Sequence, residues 1–347
     1  MKMNPLGRTG ITVPELCLGT MTFGTQTPEA EAHKQIDIAL AAGVNFLDTA
    51  EMYPVNPVGP ETQGDSERII GTWLARNGRR DDLTIATKHS GNGWDHIRNK
   101  EGMSAASIPG AIDGSLKNLQ TDYIDLYQFH WPNRGSYMFR KNWSYDPSSQ
   151  DKIETLNHIE DTLEALQRQV EKGTIRHFGL SNESAWGTAQ WLRVSEDKDL
   201  PRVASIQNEY SLMCRIYDTD LAELSVNEDV GLLAFSPLAT GLLTGKYQGG
   251  AIPTASRMSL SSDLGGRTTE RAFEAVDLYL DIARKHDLDP VHLALAWCAL
   301  RPFMCSVIFG ARTMDQLELA LGAADVKLSS EVLKDIDDAH RKCPMPY

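Results

Sequence analysis

A chain of 347 residues, 41% hydrophobic and 23% charged, reads as an ordinary soluble globular protein with enough length for a large buried core. Its 47 Asp and Glu outnumber 34 Lys and Arg, a formal net charge of −13, which argues against nucleic acid or an anionic membrane as partner and requires any phosphate site to gather its cations locally. No apolar run approaches the ~20 residues of a membrane span, and Met1-Lys2-Met3-Asn4-Pro5 lacks the apolar core of a signal peptide, so a cytoplasmic protein is expected. The five cysteines, Cys17, Cys214, Cys298, Cys305 and Cys343, form no Cys-x-x-Cys pair and are expected to be reduced.

Taken in order, Leu6 to Pro14 reads as a hairpin turning at glycine, and Leu16 to Thr20 as the first buried strand. A helix from about Pro28 to Ala42 stops at Gly43, and Val44 to Leu47 is a strand that delivers Asp48 at its carboxyl end. The rhythm repeats: helix Ser66 to Arg76, strand Leu83 to Lys88, helix Ser104 to Leu119, strand Ile124 to His130, then a helix with Ile159, Leu163, Leu166 and Val170 on one face. Further strands are Phe178 to Ser181, Ala204 to Gln207, Leu232 to Ser236 and Ser306 to Phe309, followed by helices Thr313 to Leu321 and Ser329 to Arg341. Eight strands with helices between them fit a closed (β/α)₈ barrel, one domain over residues 1–347. An open doubly wound sheet is the alternative, but its glycine fingerprint is missing, since Gly91-Asn92-Gly93-Trp94-Asp95-His96 ends in His and follows the wrong strand. Two long segments, Trp131 to Ile153 and Tyr247 to Thr268, read as lids over the carboxyl-terminal rim, and Pro344-Met345-Pro346-Tyr347 as a tail packing back on the barrel.

Three consecutive strands end in ionisable residues: Asp48, Lys88 and His130, with Tyr53 in the loop after the first. In a barrel these share one rim. A free tyrosine, with a pKa of about 10, is too weak an acid for rapid donation at neutral pH. The Lys88 ammonium is expected to lower it, Asp48 to keep Lys88 protonated and oriented, and His130 to hold the substrate oxygen or share its proton. No metal site is assigned, because there is no His-Glu-x-x-His and an ammonium beside the carboxylate would repel a cation.

Val44 to Tyr53, together with Ala86-Thr87-Lys88 and Asp125 to His130, resembles the aldo-keto reductase family, and the likeness runs from Leu6-Gly7-Arg8-Thr9-Gly10 to the last helix. Tyr53-Pro54, Glu61-Thr62-Gln63-Gly64, His130-Trp131-Pro132 and the closing Pro344 to Tyr347 resemble its bacterial Tas-like subgroup. The resemblance implies a barrel that binds NADP(H) without a dinucleotide-binding domain and reduces aldehydes or ketones, with Asp48, Tyr53, Lys88 and His130 as catalytic tetrad and Tyr53 as general acid. It implies nicotinamide contacts from Gly19, Thr20, Met21, Ser181, Asn182 and Gln207, and a stacking ring from Tyr210. Ser236, Pro237, Leu238, Thr240, Gly241, Leu243 and Lys246 match the strap over the pyrophosphate. Gly310, Arg312 and Gln316 match the segment that meets the 2′-phosphate, with Arg257 a further candidate. Read without the resemblance, Gly241 to Lys246 approaches a P-loop, but the glycine spacing is one short and Tyr247 replaces the Ser or Thr. Leu319-Ala320 replaces the family's Glu-Asn pair on the adenine amine, which leaves NAD(H) open as an alternative cofactor. Phe23, Trp94 and Trp131 are the expected lining of a pocket for an apolar or aromatic carbonyl compound. A nucleotide-sensing regulatory subunit with slow turnover and a cofactor-free barrel isomerase or lyase are the competing readings, and no feature makes an oligomer evident.

Overall fold

Two short strands, β1 (Met3–Pro5) and β2 (Thr12–Pro14), pair antiparallel ahead of the barrel. The eight that follow are β3 (Leu16–Gly19), β4 (Phe46–Asp48), β5 (Thr84–His89), β6 (Ile124–Phe129), β7 (Ile175–Ser181), β8 (Val203–Glu209), β9 (Gly231–Phe235) and β10 (Met304–Phe309). In the computed structural model, which describes residues 1–347, each runs parallel to its neighbours and β10 closes the ring onto β3. This is the expected (β/α)₈ barrel. Between successive strands lie α1 (Glu29–Ala41), α2 (Asp65–Asn77), α3 (Ser107–Leu119), α4 (Lys152–Glu171), α5 (Ala185–Lys198) and α6 (Leu221–Glu228). After β9 come the short α7 (Arg257–Leu260), then α8 (Glu270–Lys285) and α9 (Pro290–Ala299), and after β10 come α10 (Met314–Leu321) and α11 (Ser330–Lys342).

Where boundaries differ from the sequence reading, local hydrogen bonds explain it. The strand expected from Val44 begins at Phe46, because the Val44 amide still donates to Ala39 at the end of α1 (2.8 Å). Helix α3 begins at Ser107 rather than Ser104: Ser107 N–H donates to Ser104 Oγ (3.0 Å) and Ser104 N–H to Ser107 Oγ (2.9 Å), a reciprocal pair in the turn that leads into the helix.

Side chains alternate across a strand, so every second residue enters the barrel. The inward residues of the lower half, Cys17, Phe46, Ala86, Leu126, Leu233, Cys305 and Ile308, form one apolar cluster with Leu6 and Val13 of the hairpin. The hairpin thus plugs the amino-terminal end, where Gly7 has φ +55 and a Cβ would lie 2.4 Å from the Ala204 carbonyl oxygen. Two residues further along the same strands, inward positions become polar: Asp48, Lys88 and Gln128. The change from oil to charge marks the carboxyl-terminal half as the site. The tail packs back as expected, with Tyr347 buried and the Pro344 carbonyl accepting from Arg271 (3.0 Å). All five cysteines are unpaired and buried, and no helix is long and apolar enough to cross a membrane.

Candidate active site

Lys88 is fully buried and each of its three ammonium protons has an acceptor: Asp48 Oδ2 at 2.6 Å, the Thr49 carbonyl at 2.8 Å and Tyr53 Oη at 3.4 Å. The other oxygen of Asp48 accepts from Gln128 Nε2 (3.1 Å) and Gln207 Nε2 (2.8 Å). A buried ion pair tolerates desolvation only when its remaining valences are filled, and here both partners are filled. His130 stands on the far side of Tyr53, ring centroids 5.8 Å apart and edge-on, and its Nδ1 is buried without a partner. The structure therefore brings all four expected catalytic residues together.

Their protonation differs from the sequence expectation at one point. Burial raises the Tyr53 phenol above its ordinary value; Lys88 pulls it down and Asp48 opposes that pull, and the net direction is upward. Tyr53 is thus a protonated phenol whose desolvation outweighs the ammonium at 3.4 Å. Burial also opposes the charge on Lys88, but Asp48 and Tyr53 outweigh it and the ammonium persists. Burial and then Lys88 hold His130 well below the usual histidine range, so its imidazole is neutral.

Several of the residues expected to hold a nucleotide, Thr20, Met21, Asn182 and Gln207, touch this group. A Cβ on Gly19 would lie 2.9 Å from Ile308 Cγ2 and 3.3 Å from the Phe309 carbonyl oxygen, so only glycine lets these strands approach there. Thr20 Oγ1 donates to the Asp48 carbonyl (3.0 Å), and Met21 packs on the cluster that contains Tyr53. Ser181 Oγ donates to the Gln207 carbonyl (2.8 Å), and Asn182 Nδ2 donates to the His130 carbonyl (2.8 Å). Asn182 Oδ1 is buried with no partner. In the strap Ser236, Thr240 and Gly241 take left-handed φ values of +53, +58 and +97, and Pro237 and Leu238 lie between them. Lys246, Arg257 and Arg312 have no carboxylate partner, and the Arg257 charge is felt at Tyr53. Gln316 Oε1 accepts from the Arg312 amide (2.9 Å) just after Gly310-Ala311. Leu319 is exposed and Ala320 buried.

Two expectations are corrected, at Tyr210 and Phe23. Tyr210 is fully buried, its ring stacked on Trp297 (5.4 Å, 9°) and its hydroxyl donating to Asp218 (2.8 Å), so it has no free face for a ligand. The chain turns outward after β8, where Ser211 and Cys214 bridge, and takes the ring with it. Phe23 is fully buried in the main core and has no surface to give a substrate pocket, and the Leu243 side chain is buried in the same core. Trp94 is 39% exposed at the rim. Trp131 packs on His130 (4.8 Å) and meets Phe139 edge-on (6.3 Å), with its indole N–H donating to the Asn92 carbonyl (3.2 Å).

Sequence reasoning missed three contributors. Gln128 shares the inward phase of Asp48 and Lys88, and period-two counting finds it. Phe235 shares the inward phase of Leu233, ends β9 at the rim, and is half-buried outside every apolar cluster. Gly91 makes room for Trp131, since a Cβ there would lie 2.1 Å from the indole nitrogen. Elsewhere His286, Glu331 and Asp335 come within 4.8 Å of one another, with Lys285 bridging both carboxylates at 3.2 and 2.7 Å.

A parallel barrel with a buried Lys–Asp pair, a protonated phenol and a neutral imidazole at its carboxyl-terminal rim belongs to the class of barrel enzymes that move protons at a bound ligand. A family model described as the Aldo/keto reductase family matches residues 15–341. The whole chain is 44% identical to Protein tas of Escherichia coli (strain K12), of which it covers 99%. It is 32% identical to the Uncharacterized oxidoreductase YrpG of Bacillus subtilis (strain 168), over 97% of this chain and 95% of that one. It is also 32% identical to a Probable voltage-gated potassium channel subunit beta of Arabidopsis thaliana, over 94% of this chain and 92% of that one. The chain belongs to the aldo/keto reductase family, is an oxidoreductase, and stands with the Tas-like members.

Proposed function

We propose that this oxidoreductase reduces aldehydes and ketones to alcohols with NADPH, Tyr53 donating the proton. The observation that carries the reading is Lys88, buried and held by Asp48 and the Thr49 carbonyl so that its third proton points at Tyr53 Oη, 3.4 Å away. A nicotinamide nucleotide, when bound, supplies the hydride. The residues present suit that group. Asn182 Oδ1, buried and unpartnered, fits an amide N–H, Phe235 offers a ring face where Tyr210 does not, and Lys246, Arg257 and Arg312 offer cations to phosphates.

As negative charge grows on the substrate oxygen, Tyr53 releases its proton and Lys88 stabilises the phenolate left behind. Asp48, fixed by Gln128 and Gln207, keeps the ammonium aimed. Neutral His130 donates a hydrogen bond to the same oxygen without competing as an acid, and Trp131 and Phe139 keep water from that side. Reversal of the same steps oxidises an alcohol.

Fluorescence titration with NADPH and NADH, followed by a panel of aldehydes and ketones, tests the reading. NADPH should bind at least about tenfold tighter than NADH, the size expected for one charge-assisted contact from Arg312. Arg312→Ala should remove most of that difference, and failure to bind either nucleotide would overturn the proposal. A regulatory, nucleotide-sensing subunit is the second reading, supported by the relative named as a probable channel subunit beta. Steady-state turnover alongside a pull-down separates the two: rapid turnover supports the enzyme, and slow turnover with a captured protein partner supports the sensor.

A further inference from the structure

One carboxylate outside the four-residue centre collects three separate pieces of the rim. Glu209, the last residue of β8, is two positions beyond Gln207 and almost fully buried. Arg267, from the long loop after β9, grips it with a two-pronged contact, Nε to Oε1 and Nη2 to Oε2, both 2.8 Å. Arg140, from the long loop after β6, reaches Oε2 with Nη1 at 2.8 Å. The tail arrives as well, with Tyr347 Oη 3.4 Å from Oε1. Two guanidinium groups on one carboxylate leave an excess positive charge in a largely buried place, and Arg140 Nε is buried without a partner.

The segment that Arg140 anchors is under backbone strain. Phe139 and Arg140 have φ values of +58 and +63, two consecutive non-glycine residues in the left-handed region. Phe139 is also the ring that meets Trp131, which packs on His130. Release of Arg140 would remove a contact that holds this turn and would free Phe139 to leave Trp131, the ring that packs on His130. Release of Arg267 frees the loop that carries Arg257. An open cleft of ≈ 720 Å³ lined by Phe139, Arg140, Gly265, Arg271 and Tyr347 brings solvent to the Arg140 side. Arg140 is the more exposed of the two guanidinium groups, at 18% against 6%, and is therefore the first to let go.

We propose that Glu209 is a positioning residue that latches both rim loops and the chain terminus over the site, and that nucleotide exchange requires Arg140 to leave this carboxylate. The inference rests on the proposed nucleotide-binding function. Glu209→Gln keeps the shape and removes the charge, while Arg140→Ala opens one side and leaves the Arg267 contact intact. Stopped-flow displacement of bound NADPH should show a dissociation rate raised at least about tenfold in both variants, with a deuterium isotope effect on hydride transfer like that of the wild type. In the nucleotide-free protein, amide hydrogen exchange over 137–145 should rise in both variants, and over 257–269 in Glu209→Gln, with β4, β5 and β6 as protected as before. If Glu209→Gln does not fold, Arg140→Ala carries the test. Unchanged loop exchange and unchanged nucleotide release in Arg140→Ala would overturn the latch. Should the wild type bind no nucleotide, the functional reading fails, and the exchange measurement still decides whether the loops are latched.

Discussion

Lys88 is the residue whose surroundings are most completely specified. Its charge is buried, and the two-residue period of β5 that puts it inside the barrel also makes it expensive to remove. Lys88→Met is expected to destabilise the fold by roughly 3–5 kcal/mol, since it strands Asp48 as a buried charge served only by two amide donors; urea unfolding measures this, and a loss below ~1 kcal/mol would mean that the pair is not under strain from burial. Asp48, Lys88, His130 and Tyr53 were legible in the sequence because strand ends announce themselves by where an apolar run stops. Tyr210 was not. Its position three residues after Gln207 gives its identity but not its direction, which the turn at Ser211–Cys214 decides by pairing the ring with Trp297. The expected downward shift of Tyr53 failed for a similar reason, because depth of burial is a tertiary quantity and here exceeds the pull of a cation 3.4 Å away.

Among the elements, the loops that were hardest to read bear most directly on the site. Gly91 looked like part of an imperfect nucleotide fingerprint, and it is instead the space that Trp131 occupies. Gly91→Ala should push the indole from His130 and raise KM for carbonyl substrates about tenfold or less, with NADPH affinity unchanged; an unaltered KM would remove Trp131 from the substrate wall. Helix α8 was missed in the sequence, although Ala272, Ala275, Val276, Tyr279, Ile282 and Ala283 recur at helical spacing behind a capping Thr269. Helix α9 was missed for a different reason: it is apolar on almost every side, and periodicity does not distinguish a buried helix of that kind from a buried strand. The short α7, which holds Arg257, has too few residues to carry a pattern.

At the scale of the whole molecule, acidity and burial together set how the fold responds to pH. The chain carries a formal charge of −13, while the cations Lys246, Arg257 and Arg312 are left without carboxylate partners beside the proposed nucleotide path. Buried histidines give the fold an acid limit. Burial holds His89 at about 4 against 6.5 in an open chain, so as pH falls below 6.5 the unfolded state takes up the proton first. Stability therefore falls by up to about 1.4 kcal/mol per pH unit from 6.5 towards 4 and flattens below, a total of about 3 kcal/mol from this group. Urea unfolding of the wild type and His89→Gln at pH 7.5 and pH 5 isolates the contribution, and equal losses in both proteins would assign the acid sensitivity elsewhere. His130 acts in the same direction.

The central claim is that the phenol held against Lys88 donates the proton in carbonyl reduction. Wild type and Tyr53→Phe, each saturated with NADPH and given an aromatic aldehyde, test it in one assay of NADPH oxidation with product analysis. The account requires equal NADPH affinity in the two proteins, stoichiometric alcohol from the wild type, and turnover lower by about 10²–10⁴-fold in the variant. A variant that reduces the aldehyde at the wild-type rate would contradict it.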